Sequence, residues 1–129
     1  MTTPDTNDDA RPMASFVKLL VNDVAASSRF YQALGFAPDG TDGVFLHLRW
    51  QRNAHVYLVK PPPGSSLEGR RGQGVLLGFA ALKPDVTEVA RTAAALGAPV
   101  DGPRITPWHT LELVVTDPDG YRLNFVQPA

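Results

Sequence analysis

The sequence predicts an α+β fold made of two tandem β-α-β units, and three observations predict it. The chain repeats itself: Asp23-Val24 and Leu34-Gly35 recur as Asp85-Val86 and Leu96-Gly97, 62 residues downstream in a chain of 129. An offset near half the length marks one small unit used twice. Between each Asp-Val and Leu-Gly, apolar residues recur at helical spacing, and the flanking runs are β-rich. Two sheets set side by side enclose a cleft, where small molecules bind.

The elements follow in order. Residues 1–13, rich in Asp, Thr, Asn and Pro, are expected to be a disordered N-terminal tail, because they bury too little apolar surface to offset their ordering entropy. Residues 14–129 are read as a single domain, with module one at 14–60, a linker at 61–73 and module two at 74–129. The run Phe16 to Val21 is a strand with Val17, Leu19 and Val21 on one face. Asp23 fits an N-cap for a helix over Val24 to Leu34, which turns Val24, Ser27, Phe30, Tyr31 and Leu34 to one side, and Gly35 supplies its C-terminal stop. Strands over Val44 to Trp50 and Ala54 to Lys60 follow, joined by a turn at Gln51-Arg52-Asn53. The Pro- and Gly-rich linker, with Arg70 and Arg71 read as solvated charge, disfavours regular structure.

In module two, Val75 to Leu82 is a strand, followed by a helix from about Pro84 to Leu96 with Val86, Val89, Ala90, Ala93 and Leu96 inward. Strands near Ala98 to Asp101, Thr110 to Thr116 and Tyr121 to Gln127 complete the chain. Asp117-Pro118-Asp119-Gly120 joins the last two as a turn, with Pro presetting one angle and Gly supplying a positive φ.

Composition narrows the function. With 43% apolar residues the chain can fill one core but not two, so the modules share a core or borrow one. A net charge of −1 leaves no excess of cations to neutralise a phosphate backbone, which argues against nucleic acid. No apolar run approaches a membrane span, and the opening is polar and acidic where a signal peptide needs a basic start, so the expected compartment is the cytoplasm. The absence of Cys removes thiol nucleophiles, thiolate ligands and disulfides.

Two motifs, VNDVAASSRFYQALGF (Val21 to Phe36) and VVTDPDGYRLNFVQP (Val114 to Pro128), resemble the glyoxalase, bleomycin-resistance and extradiol dioxygenase group, the vicinal oxygen chelate superfamily. The resemblance spans Phe16 to Pro128. It implies two tandem β-α-β-β-β modules forming curved sheets around a concave cleft, and a homodimer. It also implies four metal-ligand positions, which fall here on Phe16, Tyr57, Leu76 and Asn124. None keeps the usual His, Gln or Glu, and phenyl and isobutyl groups have no lone pair for a cation. The expectation is therefore no metal and no cofactor, which places the chain nearest the antibiotic-sequestering members. Pro107-Trp108 resembles the Pro-Trp of such drug binders.

Strand alternation extends the site. If Phe16, Tyr57, Leu76 and Asn124 face the cleft, so do Lys18 and Leu20, His55 and Val59, Gly78 and Ala80, and Arg122 and Val126. The opposite faces are almost wholly apolar and should pack on the helices. The ligand-binding set is then Phe16, Lys18, Tyr57, Leu76, Gly78, Trp108, Arg122 and Asn124, and the ligand a planar or conjugated organic molecule with a few polar handles. Phe16 and Leu76 equally suit filling the space of a lost metal. Lys18 and Glu112 suit an internal ion pair.

A second reading is a metal-free isomerase, cyclase or lyase with His55 as general base, or Glu112 if desolvation raises its pKa. His47 and His109, also 62 apart, could be pseudo-symmetric mates. A third reading is a partner-binding module whose cleft is filled.

Overall fold

The computed structural model describes residues 15–41, 44–65, 67–69 and 71–129. The expected tail at 1–13 lies outside them, as does Arg70. Module one contains β1 (Val17–Leu20), α1 (Val24–Leu34), β2 (Ala37–Thr41), β3 (Phe45–Trp50) and β4 (Ala54–Val59). Module two repeats the order as β5 (Leu77–Ala80), α2 (Val86–Ala95), β6 (Val100–Ile105), β7 (Thr110–Thr116) and β8 (Arg122–Pro128). Each module is one curved four-stranded sheet, ordered β1-β4-β3-β2 and β5-β8-β7-β6, with the first strand parallel to the last and the others antiparallel.

The apolar alternation decides which face each sheet buries. Leu19, Val56 and Leu58 from one sheet and Phe79, Leu123 and Phe125 from the other are all buried, and they join Leu34, Val86 and Val89 of the helices in one core. Phe36, Trp50, Phe79 and Phe125 interlock at its centre, with ring centroids 4.9 Å apart for Phe36 and Trp50 and 5.0 Å for Trp50 and Phe125. The modules thus share a core within the chain. Trp50 belongs to it, and its indole N–H donates to the Ala80 carbonyl at 2.7 Å.

Polar contacts fasten the same junction. The Asp117-Pro118-Asp119-Gly120 turn of module two docks on α1 of module one and on Asn22 before it. The Tyr31 hydroxyl donates to Asp117 Oδ2 at 2.6 Å, while Asp117 Oδ1 accepts from the Asp119 and Tyr121 N–H groups. Asp119 accepts from the Asn22 N–H and the Ser27 hydroxyl and pairs with Arg71 at 2.6 Å. Arg71 is therefore not solvated, because its guanidinium is nearly buried against this turn and also donates to the Leu67 carbonyl.

Three other expectations change. β2 was implied by the β-α-β-β-β unit but not located, since Ala37-Pro38-Asp39-Gly40-Thr41 has no alternation to read. It survives as an exposed edge strand with a register shift after Pro38, where a missing N–H costs no ladder bond. α2 starts at Val86 and not at Pro84, because Asp85 and Glu88 close a capping box there. His47 and His109 are not mates: His47 lies mid-strand on β3, opposite Tyr57, whereas His109 sits in the turn before β7 with φ +66°.

Candidate functional site

The sheet faces turned away from the helices carry the residues that sequence alternation assigned to the cleft. On module one, Tyr57 is the centre. Phe16 and Phe45 meet it edge-on, at centroid distances of 5.4 and 5.3 Å, and its other neighbour His47 stacks flat on it at 4.4 Å and 6°. Register explains the stack, because His47 is paired directly with Tyr57 across β3 and β4. Phe16, Lys18, Val44, Phe45, Tyr57 and Val59 line a cavity of about 380 Å³. The Lys18 ammonium stands 6.0 Å from the Phe16 ring centroid, within cation–π range.

His55 lies diagonally across from His47, with Nδ1 2.9 Å from His47 Nε2. Burial, with the neighbouring His47 adding to it, lowers the His55 pKa, so the ring is neutral at pH 7.

On module two, Glu112 is the centre. The Thr110 hydroxyl at 2.7 Å and the Trp108 indole N–H at 3.0 Å donate to Oε2, and the Asn124 amide at 3.3 Å donates to Oε1. These donors, the Thr110 hydroxyl foremost, hold the Glu112 carboxyl below its usual range. That corrects two expectations. Glu112 is not a raised general base, since donors to the anion outweigh desolvation. Its partners are Thr110, Trp108 and Asn124, and not Lys18. What Glu112 does instead is fix the indole of Trp108, which is 66% exposed.

The remaining predicted residues fall nearby but apart. Gly78 shares a cavity of about 270 Å³ with Phe16 and His55 at the junction of the modules. Leu76 and Arg122 border another of about 250 Å³ with Val100, Asp101 and Val114. Among the described residues, Phe16, Lys18, Tyr57, Leu76, Gly78 and Arg122 are thus spread over three depressions. Phe45 and Thr110 are contributors that sequence reading missed. Strand alternation carried the signal for both: Phe45 shares the parity of His47 and faces Val59, and Thr110 shares that of Glu112.

The four family metal positions do not fit a cation. The register sets Lys18 beside Tyr57 and Gly78 beside Asn124, so Phe16 and Leu76 each lie one diagonal step from the second position of their module. Two of the four side chains have no donor atom, and the other two offer a phenol and an amide, short of the imidazole and carboxylate donors a first-row cation requires.

Two open α+β modules of this topology, with side chains converging on the faces away from their helices, define the paired-module class of fold. The chain belongs to the glyoxalase/bleomycin resistance protein/dioxygenase superfamily, whose model matches residues 14–125. Solved structures share the fold. A bleomycin-binding protein complexed with bleomycin aligns with a TM-score of 0.68 at 18% identity, over 92% of this chain and 100% of that one. A bleomycin resistance determinant encoded on the transposon Tn5 aligns at 0.65 and 18%, over 90% and 98%. The fosfomycin resistance protein FosX from Listeria monocytogenes, complexed with Mn(II) and sulfate, aligns at 0.70 and 16%, over 89% of each chain. No curated protein sequence matches the chain significantly. Among the described residues, no helix is long and apolar enough to cross a membrane.

Proposed function

We propose that the protein binds a small planar or conjugated organic molecule on these open faces, without a metal at the four family positions and without converting it. The observation that carries this reading is the aromatic wall of Phe16, Phe45 and Tyr57 beside the 380 Å³ cavity. Trp108, held by Glu112, supplies a further flat surface, while Lys18, Arg122 and Asn124 supply polar handles. Each aromatic pairing contributes roughly 0.5–1.5 kcal/mol beyond area burial. The likeness to two bleomycin-associated structures supports the same reading and makes bleomycin the first probe. Open cavities on these faces favour a binding site over a filled one.

We further propose that the working form is a homodimer. Phe16, Val44, Leu76, Ile105 and Trp108 are each half or more exposed, an apolar surface that a second copy would cover while closing the adjoining depressions into one site.

Intrinsic fluorescence tests the binding reading, since Trp108 is exposed and Trp50 is buried. Bleomycin, or another member of a panel of planar drugs, should quench the emission saturably. In isothermal titration calorimetry, which needs no indole reporter, Trp108→Leu should weaken that binding about ten-fold, or 1.4 kcal/mol. Absence of saturable quenching up to about 1 mM across the panel, an affinity below any useful sequestration, would overturn it. The rival, a metal-free acid-base enzyme, is favoured by the neutral His55 ring at the junction cavity. Turnover of a bound panel member that His55→Ala abolishes, with affinity kept, would establish the rival.

A further inference from the structure

One cluster of potential ligands lies outside the family positions and outside the aromatic wall. Asp39 on β2, His47 on β3 and His55 on β4 occupy three neighbouring strands of module one, on the same face. His47 Nε2 is 2.9 Å from His55 Nδ1, and His47 Nδ1 is 3.9 Å from Asp39 Oδ2. We propose that Asp39, His47 and His55 form a binding site for a divalent transition-metal cation such as Zn(II), Co(II) or Ni(II).

Donor geometry supports the assignment. One donor atom from each residue can be chosen so that all lie within 4.8 Å of one another. Some point then lies within about 2.8 Å of all three, against Zn–N and Zn–O bonds of about 2.0–2.2 Å, so side-chain torsions alone close the site. Two imidazoles and one carboxylate are a donor set that borderline cations favour, and they leave positions open for water. The sheet positions the rings: His47 faces Tyr57 and Arg49 faces His55, which puts His47 and His55 in the diagonal relation that brings long side chains into reach. Tyr57, stacked flat on His47, fixes that ring's plane. His47 is buried, His55 half-buried and Asp39 exposed, so a cation reaches the site from the Asp39 side.

Binding has two linked consequences. The 2.9 Å contact between the two rings is a hydrogen bond, so one N–H proton lies between their nitrogens. A cation taking both contacting nitrogens displaces that proton, which moves to the far nitrogen of its own ring, so each imidazole coordinates in its neutral form. Arg49, whose Nε lies 3.9 Å from Asp39 Oδ2, gives up that carboxylate and keeps its hydrogen bond to the Gln51 carbonyl at 2.9 Å.

The test is a titration of tag-free, chelator-treated full-length protein with Co(II), read by its visible ligand-field absorption. The expected result is a saturable band, displaced by one equivalent of Zn(II) per chain. His55→Ala and Asp39→Asn, changes at partly or fully exposed positions, should each weaken it ten-fold or more. His109→Ala, in module two, should leave it unchanged. Circular dichroism checks that each variant is folded. A spectrum no different from aqueous Co(II), or a band that survives both His55→Ala and Asp39→Asn, would overturn the site. Drug quenching of Trp108 in the presence of chelator reports the organic ligand separately, so failure of either reading is distinguishable.

Discussion

Asp117 shows how one residue ties the two halves together. Its carboxylate is buried, and burial pushes its pKa up, while Tyr31 and two backbone N–H groups oppose that shift without cancelling it. Tyr31, buried beside it, is pushed well above its ordinary value for the same reason. The sign of the linkage follows from the raised value: the folded state holds the proton more tightly than the unfolded state. Stability from a protonated Asp117 is therefore complete below the ordinary carboxylate range and is lost as pH rises through the raised pKa. Urea denaturation of wild type and Asp117→Asn from pH 4 to 7 should show wild type losing ground to the variant as pH rises, and parallel curves would contradict this. The sequence marked this turn as a family signature and as a turn by its Pro and Gly. That its carboxylates serve the junction, one taking a module-one phenol and the other Arg71, depends on contacts more than 40 residues apart, which local pattern cannot show.

Elements were legible where side chains alternate. The strands with clear periodicity, β3, β4, β7 and β8, lie within a residue or two of their expected places, and the two buried faces were assigned correctly because a one-residue slip would expose a whole apolar set. β2 escaped because an edge strand exposed throughout buries nothing that would leave a pattern. β6 extends to Ile105, past its expected end at Asp101, because Gly102 lets it swing close to β7. A Cβ on Gly102 would stand 2.7 Å from the Glu112 carbonyl oxygen, and its φ is +104°. Gly102→Ala should destabilise the fold by about 1–3 kcal/mol in chemical denaturation, from backbone strain and the clash together. It should also weaken Trp108 quenching by a ligand, because the displaced segment carries Glu112. A variant as stable as wild type would show that β6 yields freely.

For the molecule as a whole, the repeat at an offset of 62 predicted two modules, and the shared core joined them within the chain. The site was legible in part. Period-2 alternation placed Phe16, Lys18, Tyr57, Gly78 and Asn124 on the open faces, but the state of Glu112 was not legible. Whether a carboxylate rises or falls depends on which donors reach it, and Thr110 and Trp108 reach it only through the turn at Thr106 to Thr110. The cluster of Asp39 with His47 and His55 was likewise hidden, since Asp39 comes from the strand that sequence did not locate. Native mass spectrometry of the full-length protein with saturating bleomycin or the best panel ligand tests most directly whether a homodimer binds an organic molecule with no metal at the four family positions. The result predicted is a dimer that carries intact ligand of unchanged mass, with the same occupancy after chelation. A monomer that binds nothing, or an adduct that disappears when a chelator strips a divalent ion, would contradict it.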